Sequence, residues 1–130
     1  MEIEGTDVIG AWNALEPVIA DCVELLGTAA TKSDYYVGNL DDQSTLTGAE
    51  LRDCLDRVES PASISVTYTA NSSSAVDPFS IELRIGRYRR FKELNVHLRV
   101  TGPKDVQTLG FFERTKSSLA RAIDRLNSTS

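Results

Sequence analysis

FSIELRIGRYRRFKELNVHLRVT, residues 79–101, is the stretch whose reading decides the fold. Phe79, Ile81, Leu83 and Ile85 alternate with polar neighbours, and beyond a short basic link Leu94, Val96, Leu98 and Val100 do the same. Successive side chains of a strand point to opposite faces, so these eight apolar residues fall on one face of a two-stranded ribbon. Gly86-Arg87-Tyr88-Arg89-Arg90-Phe91-Lys92 reads as the turn between them, with four cations and two aromatic rings. An apolar ribbon face must be covered, and the rest of the chain supplies the cover.

Working outward, Ala62 to Ala70 alternates again, with Ile64, Val66 and Tyr68 against Ser63, Ser65, Thr67 and Thr69, a strand with one wet face. Asn71-Ser72-Ser73-Ser74 links it to the hairpin. After the hairpin, Gly102-Pro103 opens a helix, proline being suited to the first helical position. Val106, Leu109, Phe112, Leu119, Ile123 and Leu126 form its expected apolar stripe, with Gly110 a weak point. Toward the start, Thr6 to Gly27 reads as a helix capped by Thr6 or Asp7, with Val8, Trp12, Leu15, Ile19, Cys22 and Leu26 on one face. Pro17 predicts a kink there, or two abutting helices. In Thr28–Leu46, Tyr35, Tyr36 and Val37 suggest an edge strand, and Gly38-Asn39 and Asp41-Asp42 suggest turns. Thr47-Gly48-Ala49-Glu50 reads as a capping box, opening a helix with Leu51, Cys54, Leu55 and Val58 inward that stops before Ser60-Pro61.

The expected architecture is α+β, a single compact domain over 1–130. An antiparallel three- to four-stranded meander carries about three helices on one face, in the order α-(β)-α-β-β-β-α. The division is an N-terminal helical part, 6–59, and a C-terminal βββα part, 62–127. The other sheet face is polar, showing Ser65, Thr67, Glu82, Arg84, Asn95, His97 and Arg99.

A chain of 130 residues can bury a core without staples. No run approaches the ~20 apolar residues of a membrane span, so no transmembrane segment is expected. The acidic opening MEIEGTDV lacks the basic start of a signal peptide, and Cys22 and Cys54 read as buried reduced thiols. Together these point to a cytoplasmic location. The net charge of −5 hides a division: residues 1–78 set three basic against fourteen acidic side chains, net −11, and residues 79–130 carry +6. Either the acidic half docks on the basic half, or a basic surface is kept for an anionic partner.

For chemistry the sequence offers little. One histidine and two cysteines without ligand spacing predict no metal site and no cofactor. His97, between Asn95 and Arg99, reads as a surface residue. Asn39 to Glu50 has the oxygen donors of a calcium loop, but Ser44 stands where its sharp turn needs glycine. There is no nucleophile elbow and no phosphate-cradling loop, so no catalytic residue is named. A pair such as Asp53 and Asp56, three apart on a helix, could share a site in a small hydrolase, the minor alternative.

What remains is anion recognition by Arg87, Tyr88, Arg89, Arg90, Phe91 and Lys92, with Arg114, Arg121 and Arg125 as a second basic row on the last helix. RYRRFKEL (87–94), GPK (102–104) and FFERTKSSLARAIDRL (111–126) resemble pieces of phox-homology lipid-binding domains, which have an arginine-tyrosine-phenylalanine motif, a proline-rich loop and a later helix. Here Asn95–Val100 alternates as a strand where that family has a helix, and the stretch before Phe111 is too short for its proline loop. From Gly48 onward the helix–strand–strand–strand–helix order is similar to that of double-stranded-RNA-binding domains, but Lys104 beside Asp105 stands in place of their lysine cluster. Neither family is assigned. The expectation is a non-catalytic protein-interaction module, an adaptor, chaperone-like or regulatory domain, that binds a protein partner through the hairpin. The alternative is binding of anionic lipid or nucleic acid through 86–92. The 8–26 helix stripe also offers a face for a homodimer.

Overall fold

The computed structural model describes residues 1–25, 30–40, 43–70, 79–87, 93–102 and 106–128. The elements are β1 (Glu2–Ile3), α1 (Val8–Glu24), β2 (Ala30–Lys32), β3 (Tyr35–Asn39), β4 (Thr45–Gly48), α2 (Leu51–Arg57), β5 (Pro61–Ala70), β6 (Phe79–Arg87), β7 (Leu94–Thr101) and α3 (Val106–Ser128). All seven strands join one antiparallel sheet in the order β1-β7-β6-β5-β3-β4, with β2 also on β5. The class is α+β, and the sheet is wider than the three or four strands expected. Residues 6–59 hold three of those strands as well as two helices.

The hairpin forms as its alternation demands. Ile81 lies opposite Val100, Leu83 opposite Leu98 and Ile85 opposite Val96. β5 continues the meander, with Ile64 beside Ile85 and Val66 beside Leu83. This inner face is closed by α1, whose Val8, Ala11, Trp12, Leu15, Ile19 and Val23 are buried, and by Phe111, Thr115, Leu119 and Ile123 of α3. Of the stripe read from the sequence, Val8, Trp12, Leu15 and Ile19 are buried within the chain's own fold, Cys22 is half-buried, and Leu26 lies outside the described residues. Burying each large apolar side chain contributes about 1.5–3 kcal/mol, so the fully buried Leu15, Ile19, Leu83 and Leu119 are central supports.

Several local expectations give way to longer-range pairing. α1 starts where its cap predicts: Asp7 Oδ1 accepts from the Gly10 backbone N at 2.7 Å. A Cβ at Gly10 would lie 2.8 Å from that oxygen, so the cap needs glycine there. Pro17 does not divide the helix, which runs unbroken from Val8 to Glu24. The proline is exposed, and so is Asn13 one turn back, whose carbonyl loses its donor and can turn to water.

The capping box is not formed. Thr47 is paired with Tyr36 in β4, and α2 begins at Leu51 after Glu50, which makes no side-chain cap bond. Four cross-strand pairs, from Tyr35–Gly48 to Gly38–Thr45, outweigh one reciprocal cap. For the same reason Tyr35–Val37 is interior: β3 lies between β5 and β4. β2 and β3 pair with β5 in succession, bridged where Ser33 N donates to Thr67 O (2.8 Å) and Thr67 N donates to Ser33 Oγ (2.9 Å). Gly86 and Arg87 belong to β6 rather than to the turn, opposite Asn95 and Leu94. In α3 the inward row is 111-115-119-123; Leu109, expected inside, is 61 % exposed.

Candidate functional site

The sheet's second face carries no helix, and its geometry follows from strand parity. One row across the strands reads Thr45, Gly38, Ser63, Gly86 and Asn95; the next reads Thr47, Tyr36, Ser65, Arg84 and His97. The first row is made of small residues at its centre, so the surface sinks there. A Cβ on Gly38 would lie 2.5 Å from Ser63 Oγ, whereas one on Gly86 would meet nothing nearer than Ser63 Cβ at 3.4 Å. The result is a trough of about 510 Å³, floored by Gly38, Ser63 and Gly86. Arg84, Arg87, Asn95 and His97 line one end, and Asn39 and Gln43 the other.

Among the described residues no carboxylate lines the trough, whose charged side chains there are two guanidiniums; Asp41 and Asp42, between Leu40 and Gln43 in sequence, lie outside the described residues. Arg84, Arg87 and His97 are exposed. Arg87 Nη2 donates to the Thr6 carbonyl at 3.4 Å, tying the hairpin base to the segment before α1. Beside the trough Tyr36 stands 48 % exposed, an aromatic ring in the same row as Arg84. Tyrosine and arginine are the side chains most often found to anchor protein interfaces.

Of the hairpin residues named from the sequence, Arg87 lies at this trough; Tyr88, Arg89, Arg90, Phe91 and Lys92 lie outside the described residues. Arg114, Arg121 and Arg125 are exposed along α3, which packs on the opposite face of the sheet. The structure therefore separates this row from the trough. Among the described residues no arginine of β6 or α3 has a carboxylate partner. Sequence reasoning missed Gly38, Ser63 and Gly86 as a floor. The signal was available only in part: parity puts all three on the wet face, but register decides that they are neighbours.

Of the other chemistry-bearing groups, Glu50, Asp53, Cys54 and Arg57 border a smaller hollow of about 170 Å³. Glu16 sits in the seam between α1 and the sheet, where Trp12 Nε1 donates to Oε2 (2.7 Å), and Tyr35 OH (2.5 Å) and Tyr68 OH (3.1 Å) donate to Oε1. Lys32 Nζ donates to Tyr35 OH at 2.8 Å. Burial, followed by the nearby Glu16, pushes both tyrosines well above the ordinary phenol range. This carboxylate is fully engaged by its own protein. Asp53 and Asp56 are exposed on α2. Burial raises the Cys54 thiol, Arg57 partly opposing, which disfavours the nucleophilic thiolate. No cluster of metal-ligating side chains occurs among the described residues, and no helix there is long and apolar enough to cross a membrane. Compared with known proteins, the chain matches no family model, no curated protein and no solved structure.

Proposed function

We propose that this chain is a non-catalytic protein-interaction module that receives an acidic, extended segment of a protein partner on the open face of its sheet. The observation that carries this reading is the trough itself, a concavity lined among the described residues by Arg84, Arg87 and His97 and by no carboxylate. It crosses β3, β5, β6 and β7. Four strands at ~4.8 Å spacing give a span of about 15 Å, room for roughly four or five extended residues. The backbone at Gly38 and Gly86 is exposed to close approach, Ser63 and Asn95 can hydrogen-bond a peptide, and Tyr36 can pack beside it. The hairpin cations beyond Arg87 extend the attraction by sequence.

The test is fluorescence anisotropy with a labelled peptide of alternating glutamate and threonine, against a lysine–threonine peptide of equal length. Binding of the acidic peptide alone is expected. Gly86→Val fills the trough with a residue that strands favour and that has room, so affinity should fall at least tenfold while the melting temperature holds or rises. Arg84→Glu should weaken binding about fivefold, near the ~1 kcal/mol upper end for an exposed ion pair. Unchanged affinity in Gly86→Val sinks the trough as the site. Binding of single-stranded DNA or anionic vesicles with no binding of the acidic peptide moves the function to the nucleic-acid or lipid class.

A further inference from the structure

A second concavity lies on the other side of the molecule, where the end of α1 meets the first half of α3. We propose that it binds a small amphiphilic anion, a carboxylate carried on a hydrocarbon chain, with Thr115 as the buried anchor. It encloses about 370 Å³, within the range of small-molecule sites, and its walls are mostly apolar, with Cys22 and Leu25 from α1 facing Phe111 and Thr115 from α3.

Three observations select this ligand chemistry. Thr115 is 1 % exposed, and its hydroxyl is buried with no hydrogen-bond partner among the described residues. A helical threonine ordinarily closes this bond on the carbonyl one turn back, and a buried polar group without a partner is costly. A ligand oxygen in the furrow removes that penalty. Next, Leu25 is 84 % exposed at the furrow, an apolar side chain that a hydrocarbon would cover. Finally, among the described residues Arg114 and Arg121 line the same furrow against one carboxylate, Glu113, so the local balance favours an anion. A carboxylate accepts from both a hydroxyl and a guanidinium and its charge strengthens the second bond; an alcohol makes only the weaker neutral bonds, and an ammonium group accepts none.

Cys22 provides the readout, because it is half-buried and lines the furrow while Cys54 is buried elsewhere with a raised thiol pKa. The rate of Cys22 alkylation by iodoacetamide is followed by mass spectrometry with the full chain. Decanoate, kept below its micelle-forming concentration, should slow the reaction at least fivefold, whereas decylamine should not. Thr115→Val preserves the shape and removes the orphaned hydroxyl, so it should raise the melting temperature of the free protein and weaken decanoate protection at least fivefold. Arg121→Gln, at an exposed position, should reduce the preference for decanoate over decanol. Equal protection by decylamine, no protection by decanoate, or undiminished protection in Thr115→Val would each overturn the proposal.

Discussion

Glu16 holds together parts of the chain that are far apart in sequence. Its two oxygens accept from Trp12 on its own helix, from Tyr35 on β3 and from Tyr68 on β5. Trp12 also meets Tyr35 edge to face, with ring centroids 6.2 Å apart. Glu16→Ala leaves three donors without an acceptor, and a stranded buried donor costs about 1–3 kcal/mol. A loss of about 2–4 kcal/mol in a urea titration is expected, with Tyr68 contributing least because it is only half-buried. The same cluster sets an alkaline limit. Folding raises both phenols above their unfolded value of ~10, so the native state holds the protons more tightly and stability is complete below that pH. It falls as pH rises beyond 10, because the unfolded chain ionises first. Tyr35→Phe combined with Tyr68→Phe should flatten the decline in melting temperature between pH 10 and 11.5. The Trp12–Glu16 pair follows from its spacing of four on α1, but residues 35 and 68 join it only through strand register.

At the scale of elements, what could be read from sequence was set by how far each signal reaches along the chain. The hairpin and β5 were legible because alternation over eight or more residues fixes both strand and face. α1 was legible through four turns of one stripe. The capping box at Thr47–Glu50 misled because a four-residue signal competes poorly with β4 pairing onto β3. In α3 the inward row runs through Thr115, and a threonine among leucines and phenylalanines shifts the apparent stripe toward Leu109 and Phe112. Gly110 gives a clean test of this helix. It lies in the first turns, and an added Cβ meets nothing within 4 Å. Gly110→Ala should therefore raise stability by about 0.5–1 kcal/mol, read as a higher urea midpoint at unchanged slope. Leu83→Ala, at the fully buried centre of β6, should cost about 2–5 kcal/mol by the same measurement.

At the scale of the molecule, the charged residues that the structure describes fall on different faces and edges. The acidic residues of α2 stand at the β3–β4 side, and Arg87 and Arg99 stand on β6 and β7 across the sheet. The β7 side is completed by β1, where Glu2 pairs with Asn95 and Ile3 with Leu94, and Val96 N donates to Met1 O at 2.8 Å. Ile3 is fully buried. Deleting residues 1–4 should cost about 2–5 kcal/mol through the lost Ile3 and leave part of β7 unpaired. Melting temperature and size-exclusion volume at rising concentration would register both effects; an unchanged profile would mean that the first strand is dispensable.

That first strand also has a consequence in time. Asn127 Nδ2 donates to the Glu2 carbonyl and its Oδ1 accepts from Glu4 N, so residues 2–4 are bracketed by segments made some ninety and some hundred and twenty residues later. On a ribosome the opening residues must wait, unpaired, until β7 and then α3 have emerged. The nascent polypeptide thus passes through synthesis with its sheet unfinished. Closure of this seam should come late in the assembly of this sheet, and it is the step at which a chaperone or a competing strand has its best opportunity to intervene.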